Sequence, residues 1–313
     1  MNLWDARDWA KEIFRRSIPR RTRGCPAERG VFEFGATAQD GELVAGWAWG
    51  NTDLPYGQTP NGTLFFLHGY TDSSGNNGTW TAAFALARKF GLCLMAHDSR
   101  HHGRSGNRFP TFGTAEMWDF QAALSEAERL GFPQPYIAVG DSLGAMGAQR
   151  TAICDSRVRG AFLIHPPAWP YDAIAANIGP WLPAGAAVQM GSRLINAHYG
   201  GWDILGDGDL RRHPSHPAHE PLILYVMGTH DRYDWQKTFE IYQHWYRDRP
   251  DLEGYIPCRE PGARKWFVLV PHAQHPEPAG SGYHVWSWGG YGPILEAFIH
   301  RCLHHQRDAG PFS

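Results

Sequence analysis

The sequence lacks any apolar run approaching 18 residues, so it contains no candidate transmembrane helix. It also has little charge: 19% of its residues are charged, and 29 basic against 31 acidic side chains leave a net charge of −2. A nucleic-acid-binding protein normally shows a basic patch and a high isoelectric point, so we expect no nucleic-acid partner. Disorder is also unexpected, because 13% of the residues are aromatic and 14 are Trp.

Cysteine is scarce, and the five cysteines form no CxxC pair. An odd number without paired spacing favours reduced thiols in a cytoplasmic protein over a disulfide scaffold. Cys93 and Cys154 lie in apolar segments, which predicts core positions for both. The N-terminus has no apolar stretch typical of a secretory signal, while a signal peptide already removed from a longer precursor stays open.

The length of 313 residues fits one large domain or two small ones, and we divide the chain at residue 29. Residues 1–29 are predicted to form an amphipathic helix followed by a basic arm. In one interpretation the helix docks on the rest of the protein and the arm is solvated, and in the other the segment binds to a membrane surface. Residues 30–313 predict a single larger domain.

Strand-like and helix-like segments alternate through this larger domain. Buried strands that alternate with helices are typical of a mostly parallel sheet with helices on both faces, an α/β fold. The first two strands are separated by Asp40-Gly41 and predict an antiparallel hairpin. Eight strands are predicted, at Val31–Ala38, Leu43–Gly50, Thr63–Leu67, Leu92–Ala96, Pro135–Val139, Val158–Ile164, Leu222–Met227 and Trp266–Val270.

Residues 166–220 break the alternation. The segment is rich in Pro and Gly, contains Trp169, Trp181 and Trp202, and is too long for a simple loop. We expect short helices here, including Ala184–His198, inserted as a lid over the carboxyl ends of the strands.

The motif Gly140-Asp141-Ser142-Leu143-Gly144 follows a predicted strand and precedes a predicted helix. This is the context of a nucleophile elbow, in which a strained turn lifts the serine hydroxyl above the sheet. Side chains at the two glycines would clash with neighbouring backbone. The pattern therefore predicts that Ser142 is a nucleophile.

With this motif the chain resembles the α/β-hydrolase superfamily over about residues 30–305, most of all its esterase, monoacylglycerol-lipase and serine-aminopeptidase-like branch. Three further motifs carry the resemblance. His68-Gly69-Tyr70 is similar to the turn that shapes the family's oxyanion hole, and Gly228-Thr229-His230-Asp231 stands where the family places its acid. The segment Asp98–Ser105 resembles the family's Asp-x-Arg-Gly-His-Gly-x-Ser, with His101 in place of the usual Gly.

The resemblance implies a catalytic triad in the chain order serine, acid, histidine. A serine hydroxyl needs a neighbouring base, and a buried carboxylate must orient that base. Asp231 is the predicted acid. Asp234 is a nearby alternative, and Asp172 is another because some relatives carry the acid after the preceding strand.

The predicted base is His275, in the segment Val270-Pro271-His272-Ala273-Gln274-His275-Pro276 after the last strand. It resembles the family's turn that carries the catalytic histidine. His272 and His284 are the alternatives.

An oxyanion hole needs two N–H donors aimed at the developing charge. The backbone N–H groups of Leu143 and Tyr70 are the predicted donors. We expect the Tyr70 ring, Trp169 and Trp181 to contact the substrate, while the Tyr70 ring could equally pack beneath the lid.

The predicted reaction is hydrolysis of a small-molecule carboxylic ester through an acyl-enzyme, with no cofactor. Peptidase, thioesterase, carbon–carbon hydrolase and acyltransferase activities stay open on this fold, as do a non-catalytic binding protein and a homodimer. His213, His216 and His219 cluster near prolines, but no helix or CxxC partner gives them a defined geometry, so we expect no metal site.

Overall fold

A computed structural model describes residues 25–70, 72–75, 77–178, 183–208, 221–245, 265–270 and 291–304. Most of the predicted N-terminal helix and arm, residues 1–29, therefore lies outside the described residues. The strands are β1 (Val31–Thr37), β2 (Leu43–Trp49), β3 (Thr63–Leu67), β4 (Cys93–His97), β5 (Tyr136–Asp141), β6 (Val158–Ile164), β7 (Leu222–Gly228) and β8 (Lys265–Val270). The helices are α1 (Asn77–Phe90), α2 (Thr114–Arg129), α3 (Leu143–Cys154), α4 (Pro170–Ile178), α5 (Ala184–His198), α6 (Ile204–Asp207), α7 (Trp235–Trp245) and α8 (Tyr291–His304).

The strands form one sheet of eight, in the order β1-β2-β4-β3-β5-β6-β7-β8. β1 pairs with β2 antiparallel, β2 pairs with β4 antiparallel, and every later pairing is parallel. This confirms the predicted α/β fold and its N-terminal hairpin. The central strands β3 and β7 are buried along their whole length, and β5 is buried up to its last residue, because helices cover both faces of the sheet.

Two apolar layers join the helices to the sheet. On one face, α2, α3 and α7 contribute residues such as Phe120, Ala148 and Tyr242. On the other, α1 and α8 contribute residues such as Phe84 and Phe298. The predicted strand bounds agree with the structure to within a residue or two.

The chain between β6 and β7 contains helices α4, α5 and α6 within the described residues. Ala173 and Ile174 of α4, Ile195 of α5 and Ile204 of α6 are buried in an apolar cluster with Tyr70 and other residues of the main domain. The inserted helices are therefore packed on the domain. α5 spans Ala184–His198, as the sequence predicted.

A buried ionic network connects the insertion to the sheet. The Arg100 side chain is fully buried and forms ion pairs with Asp119 at 2.7 Å and Asp40 at 2.8 Å. Arg100 also donates to the Tyr199 hydroxyl at 2.9 Å, and that hydroxyl donates to the carbonyl oxygen of Phe109 at 2.6 Å. Tyr199 directly follows α5, so this network fixes the end of that helix.

The described cysteines, Cys25, Cys93, Cys154 and Cys302, are free thiols. Cys93 is buried, as predicted. The prediction was wrong for Cys154, which is exposed because it is the last residue of α3. Within the described residues, no helix is both long and apolar enough to cross a membrane.

Candidate active site

Ser142 occupies a tight turn between β5 and α3. Its backbone φ is 49° and ψ is −109°, a conformation that L-residues rarely adopt and that is found at functional turns. A Cβ at Gly140 would overlap the backbone of Gly144 and Ala145, and one at Gly144 would overlap the carbonyl groups of Leu67 and His68. The two glycines allow the helix to pack closely against the strands, as the elbow motif predicts.

The turn after β3 lies against this elbow. A Cβ at Gly69 would be 3.5 Å from the Ser142 Cβ and 3.0 Å from the Asp141 Oδ2. Nε2 of His68 accepts the Ser99 backbone N–H at 3.0 Å, which leaves the proton on Nδ1, and Nδ1 donates to the Gly69 carbonyl oxygen at 2.8 Å. His68 therefore holds the turn that carries Tyr70, beside the nucleophile.

The Tyr70 side chain is buried. Its ring centroid is 5.6 Å from that of Phe112 and 5.7 Å from that of His102. Tyr70 shares an apolar cluster with Leu143, Met146 and the inserted helices. The wall beside Ser142 is thus apolar, and the His102 ring behind it has a pKa well below its usual value because it is buried and lies near His68.

The segment Asp98–Ser105 is a structural turn near the site. Asp98 accepts the backbone N–H groups of Ser74 at 2.7 Å and Arg104 at 2.9 Å through its two carboxylate oxygens. His101, which replaces a glycine in the family motif, has a φ of 66°. Glycine is the usual residue at this position because it adopts this left-handed conformation without strain, whereas here a histidine adopts it.

Of the three candidate acids, Asp231 is the buried one. It follows β7, its side chain is fully buried, and its Oδ1 accepts the Tyr233 backbone N–H at 2.7 Å. Asp234 is exposed and accepts the Gln236 N–H at 3.0 Å at the start of α7. Asp172 forms an ion pair with Lys237 at 3.1 Å. Only Asp231 has the enclosed position that a triad carboxylate needs.

One functional candidate in this region, His165, was not predicted from the sequence. His165 directly follows β6, its side chain is buried, and its Nδ1 contacts Oδ2 of Asp231. The signal that could have found it is its position, because functional groups of α/β proteins gather at the carboxyl ends of strands.

Asp141 adds an unusual charge environment beside Ser142. Burial raises the pKa of Asp141 to about 8, and the charges of Asp72 and Asp231 raise it in the same direction. Its Oδ1 is buried without a hydrogen-bond partner among the described residues. Asp141 is therefore mostly protonated at neutral pH, which limits the negative charge around the nucleophile.

Several predicted residues cannot be compared with the structure. The candidate bases His275, His272 and His284 lie outside the described residues, as do Trp181 and the histidines at 213, 216 and 219. Trp169 is described: it is partly buried and packs against the apolar layer on the α2 and α3 face. Within the described part of the chain, no group of three or more His, Cys, Asp or Glu residues could hold a metal ion.

Comparison with known proteins supports a hydrolase. The family model for serine aminopeptidase, S33, matches residues 58–208. A comparison with curated proteins finds no match. Among solved structures, the fold is similar to the Pyrococcus furiosus esterase Pf2001, with a TM-score of 0.58 and 17% identity over 87% of this chain and 93% of that one.

Two other structures show the same architecture. A cold-adapted esterase from an Arctic intertidal metagenomic library has a TM-score of 0.55 and 20% identity, over 88% of this chain and 97% of that one. Est1E from Butyrivibrio proteoclasticus, solved with ferulic acid, has a TM-score of 0.55 and 13% identity, over 87% and 98%. The chain thus has the α/β-hydrolase fold, and about half of it is similar to the serine aminopeptidase family.

Proposed function

We propose that this protein is a serine hydrolase that cleaves carboxylic esters through an acyl-enzyme. The observation that carries the proposal is the strained φ of 49° at Ser142, between β5 and α3 and beside the Gly69 turn. Strain of this kind costs about 1–3 kcal/mol and persists where function requires it. A serine with a purely structural role would gain nothing from this conformation.

In the proposed mechanism, Ser142 Oγ attacks the ester carbonyl carbon while His275 accepts the hydroxyl proton. Asp231 accepts a hydrogen bond from the imidazole and stabilises its charged form. The carbonyl oxygen becomes an oxyanion that the backbone N–H groups of Leu143 and Tyr70 stabilise. Leu143 is the first residue of α3, where N–H groups have no intrahelical acceptor and the helix dipole favours negative charge.

The tetrahedral intermediate then collapses, the carbon–oxygen bond to the alcohol breaks, and His275 returns its proton to the leaving alkoxide. A water molecule attacks the acyl-enzyme with His275 again as base, and the acid product leaves Ser142 with its proton restored. Every step uses side chains and backbone groups of this chain, so the proposal includes no cofactor and no metal.

Support for an ester substrate comes from the apolar surroundings of Ser142. Tyr70, Phe112, Leu143 and Met146 belong to one apolar cluster with residues of the inserted helices. We propose that these helices act as a lid and that Trp169 and Trp181 contribute to the acyl site. The structures named above as esterases agree with this choice.

A peptidase is the second candidate, because the matching family model is named for a serine aminopeptidase. An aminopeptidase must bind a cationic amino group, which a fixed carboxylate would favour. The carboxyl nearest to Ser142 in sequence is Asp141, whose pKa burial raises to about 8. A protonated Asp141 carries no charge to pair with such an amine, so a peptidase would need a different carboxylate for this role.

The proposal is tested by a rate comparison on p-nitrophenyl esters of increasing acyl length and on aminoacyl anilides, together with an active-serine phosphonate probe. We expect ester turnover and labelling that Ser142→Ala abolishes, because loss of the nucleophile costs several orders of magnitude. Ser125→Ala is the matched control, since Ser125 is exposed on α2. Faster cleavage of anilides would establish the peptidase, and labelling of Ser142→Ala would refute the nucleophile.

The thiols support a reducing compartment, and we propose the cytoplasm as the location. The described cysteines carry no disulfide, and burial raises the pKa of the Cys93 thiol to about 12, which keeps it protonated and unreactive.

A further inference from the structure

His165 ends strand β6 in an unusual conformation. Its φ is 49°, in the left-handed region that favours glycine, and its side chain is only 1% exposed. The backbone N–H of His165 donates to the Val226 carbonyl oxygen of β7 at 2.8 Å. The ring is therefore held at the junction of β6 and β7, two strands whose carboxyl ends face the same edge of the sheet.

The ring of His165 meets the carboxylate of Asp231. Nδ1 contacts Oδ2, while Oδ1 accepts the Tyr233 backbone N–H at 2.7 Å. Because an ionised carboxylate only accepts hydrogen bonds, Nδ1 must carry a proton. The two carboxylate oxygens are thus held by donors from two different parts of the chain, which fixes the plane of the carboxylate.

We propose that His165 is a positioning residue that orients the Asp231 carboxylate toward the catalytic base. The inference rests on the proposed function, in which Asp231 orients the imidazole of His275. A carboxylate has about four acceptor positions, so Asp231 can accept from His165, from Tyr233 and from a second imidazole at the same time. A backbone strained at His165 is kept because it directs Nδ1 to Oδ2.

The competing interpretation is that His165 is itself the base. Asp141 and Ile164 are the last paired residues of β5 and β6. Ser142 and His165 are the next residues along these two strands, so their backbones are neighbours at the edge of the sheet. A base must take the proton from Ser142, whereas a positioning residue needs only its Nδ1–H donor. Substitutions that keep or remove this donor separate the two roles.

The experiment compares His165→Asn and His165→Leu in the full chain on a p-nitrophenyl ester. The Asn side-chain NH₂ can replace the Nδ1–H donor, and Leu has no donor. We expect kcat of His165→Leu to fall about 10- to 100-fold with KM little changed, because small displacements of catalytic groups cost this much. We expect His165→Asn to recover most of that loss. His300→Asn, at an exposed position of α8, is the matched control.

If both His165 variants are as inactive as Ser142→Ala, His165 is the base and the proposal is overturned. If both match the wild type in kcat at a temperature where they are folded, the contact has only a structural role and the proposal is also overturned.

If His165→Leu does not fold, His165→Gln is used in its place. The Gln amide reaches the position of Nε2 rather than that of Nδ1, so this variant also lacks the donor at Nδ1. The imidazole NMR signal of the wild type that disappears in His165→Asn is assigned to His165. This signal must show the tautomer protonated at Nδ1, and a tautomer protonated at Nε2 would contradict the proposal. Failure of the proposed function itself is distinguishable, because the wild type would then show no ester turnover or would cleave anilides faster than esters, independently of any His165 variant.

Discussion

The backbone N–H of Ser142 donates to the carbonyl oxygen of Ile164 at 2.9 Å, so the proposed nucleophile is tied to the neighbouring strand β6. The next residue after Ile164 is His165, whose ring reaches Asp231 beyond β7. Three adjacent strands thus place a serine, a histidine and an aspartate at one edge of the sheet.

Asp231→Asn should lower kcat/KM by about four orders of magnitude, because an amide favours the wrong imidazole tautomer. Asp234→Asn is the matched control, since Asn caps a helix about as well as Asp and Asp234 is exposed at the start of α7. Steady-state kinetics of both variants on one ester check this. Loss of activity in the Asp234 variant, with Asp231→Asn still active, would identify Asp234 as the acid.

His275→Ala should reduce turnover by several orders of magnitude, since without a base the serine hydroxyl is a weak nucleophile. His284→Ala should stay close to the wild-type rate. The measurement is kcat/KM for both variants on the same ester, with folding checked by circular dichroism. An inactive His284 variant beside an active His275 variant would reverse the assignment.

Trp169→Ala should change the preference for acyl length more than the rate on acetate esters. We expect this because Trp169 lies at the start of the insertion, and ligands of open α/β sheets bind at the carboxyl ends of the strands. The matched control is Trp202→Ala, whose ring is 45% exposed and stacks on Trp118 at 5.8 Å between centroids. Equal preference profiles in the wild type and the Trp169 variant would place the acyl site elsewhere.

Asp119→Asn should destabilise the protein by about 3–5 kcal/mol, because it leaves the buried Arg100 guanidinium without its closest counter-charge. Tyr199→Phe removes only a neutral partner of the same guanidinium and should cost about 1 kcal/mol. Denaturant unfolding monitored by tryptophan fluorescence gives both free energies. Similar small losses in the two variants would mean that the buried ion pair contributes little.

Asp141→Asn should gain stability relative to the wild type as the pH rises. Burial raises the pKa of Asp141 to about 8, so the folded protein keeps a proton that the unfolded chain releases near its usual value of about 3.9. The wild type therefore loses stability between about pH 4 and pH 8, by at most about 1.4 kcal/mol per pH unit. An Asn cannot ionise and avoids this loss.

The control for this pH effect is Asp155→Asn, which has the opposite sign. Burial raises the pKa of Asp155, but hydrogen bonds and the charge of Arg157 outweigh it and hold the pKa below the usual value. The wild-type carboxylate stabilises the folded state above about pH 4, and this contribution is lost as the pH falls through the lowered pKa. Thermal unfolding of both variants from about pH 2 to pH 8 measures the Asp155 trend below about pH 4 and the Asp141 trend above it. Parallel curves for Asp141→Asn and the wild type between about pH 4 and pH 8 would contradict the prediction.

The sequence alone determined the features that depend on near neighbours in the chain. The spacing Gly140-x-Ser142-x-Gly144 predicts the elbow, because only glycine leaves room for the backbone to turn and pack there. Apolar runs alternating with helical segments predict the parallel sheet, since buried strands need cover on both faces. Asp231 is placed at a strand end by the same pattern.

The tertiary structure alone decided which distant residues meet. His165 and Asp231 are 66 residues apart and touch because β6 and β7 are neighbours in the sheet. Arg100 and Tyr199 are 99 residues apart and meet because the insertion folds back onto the domain. Such contacts depend on the order of strands and the packing of whole elements, which local spacing does not encode. A buried histidine after a strand therefore has no visible role until the neighbouring strand brings its partner.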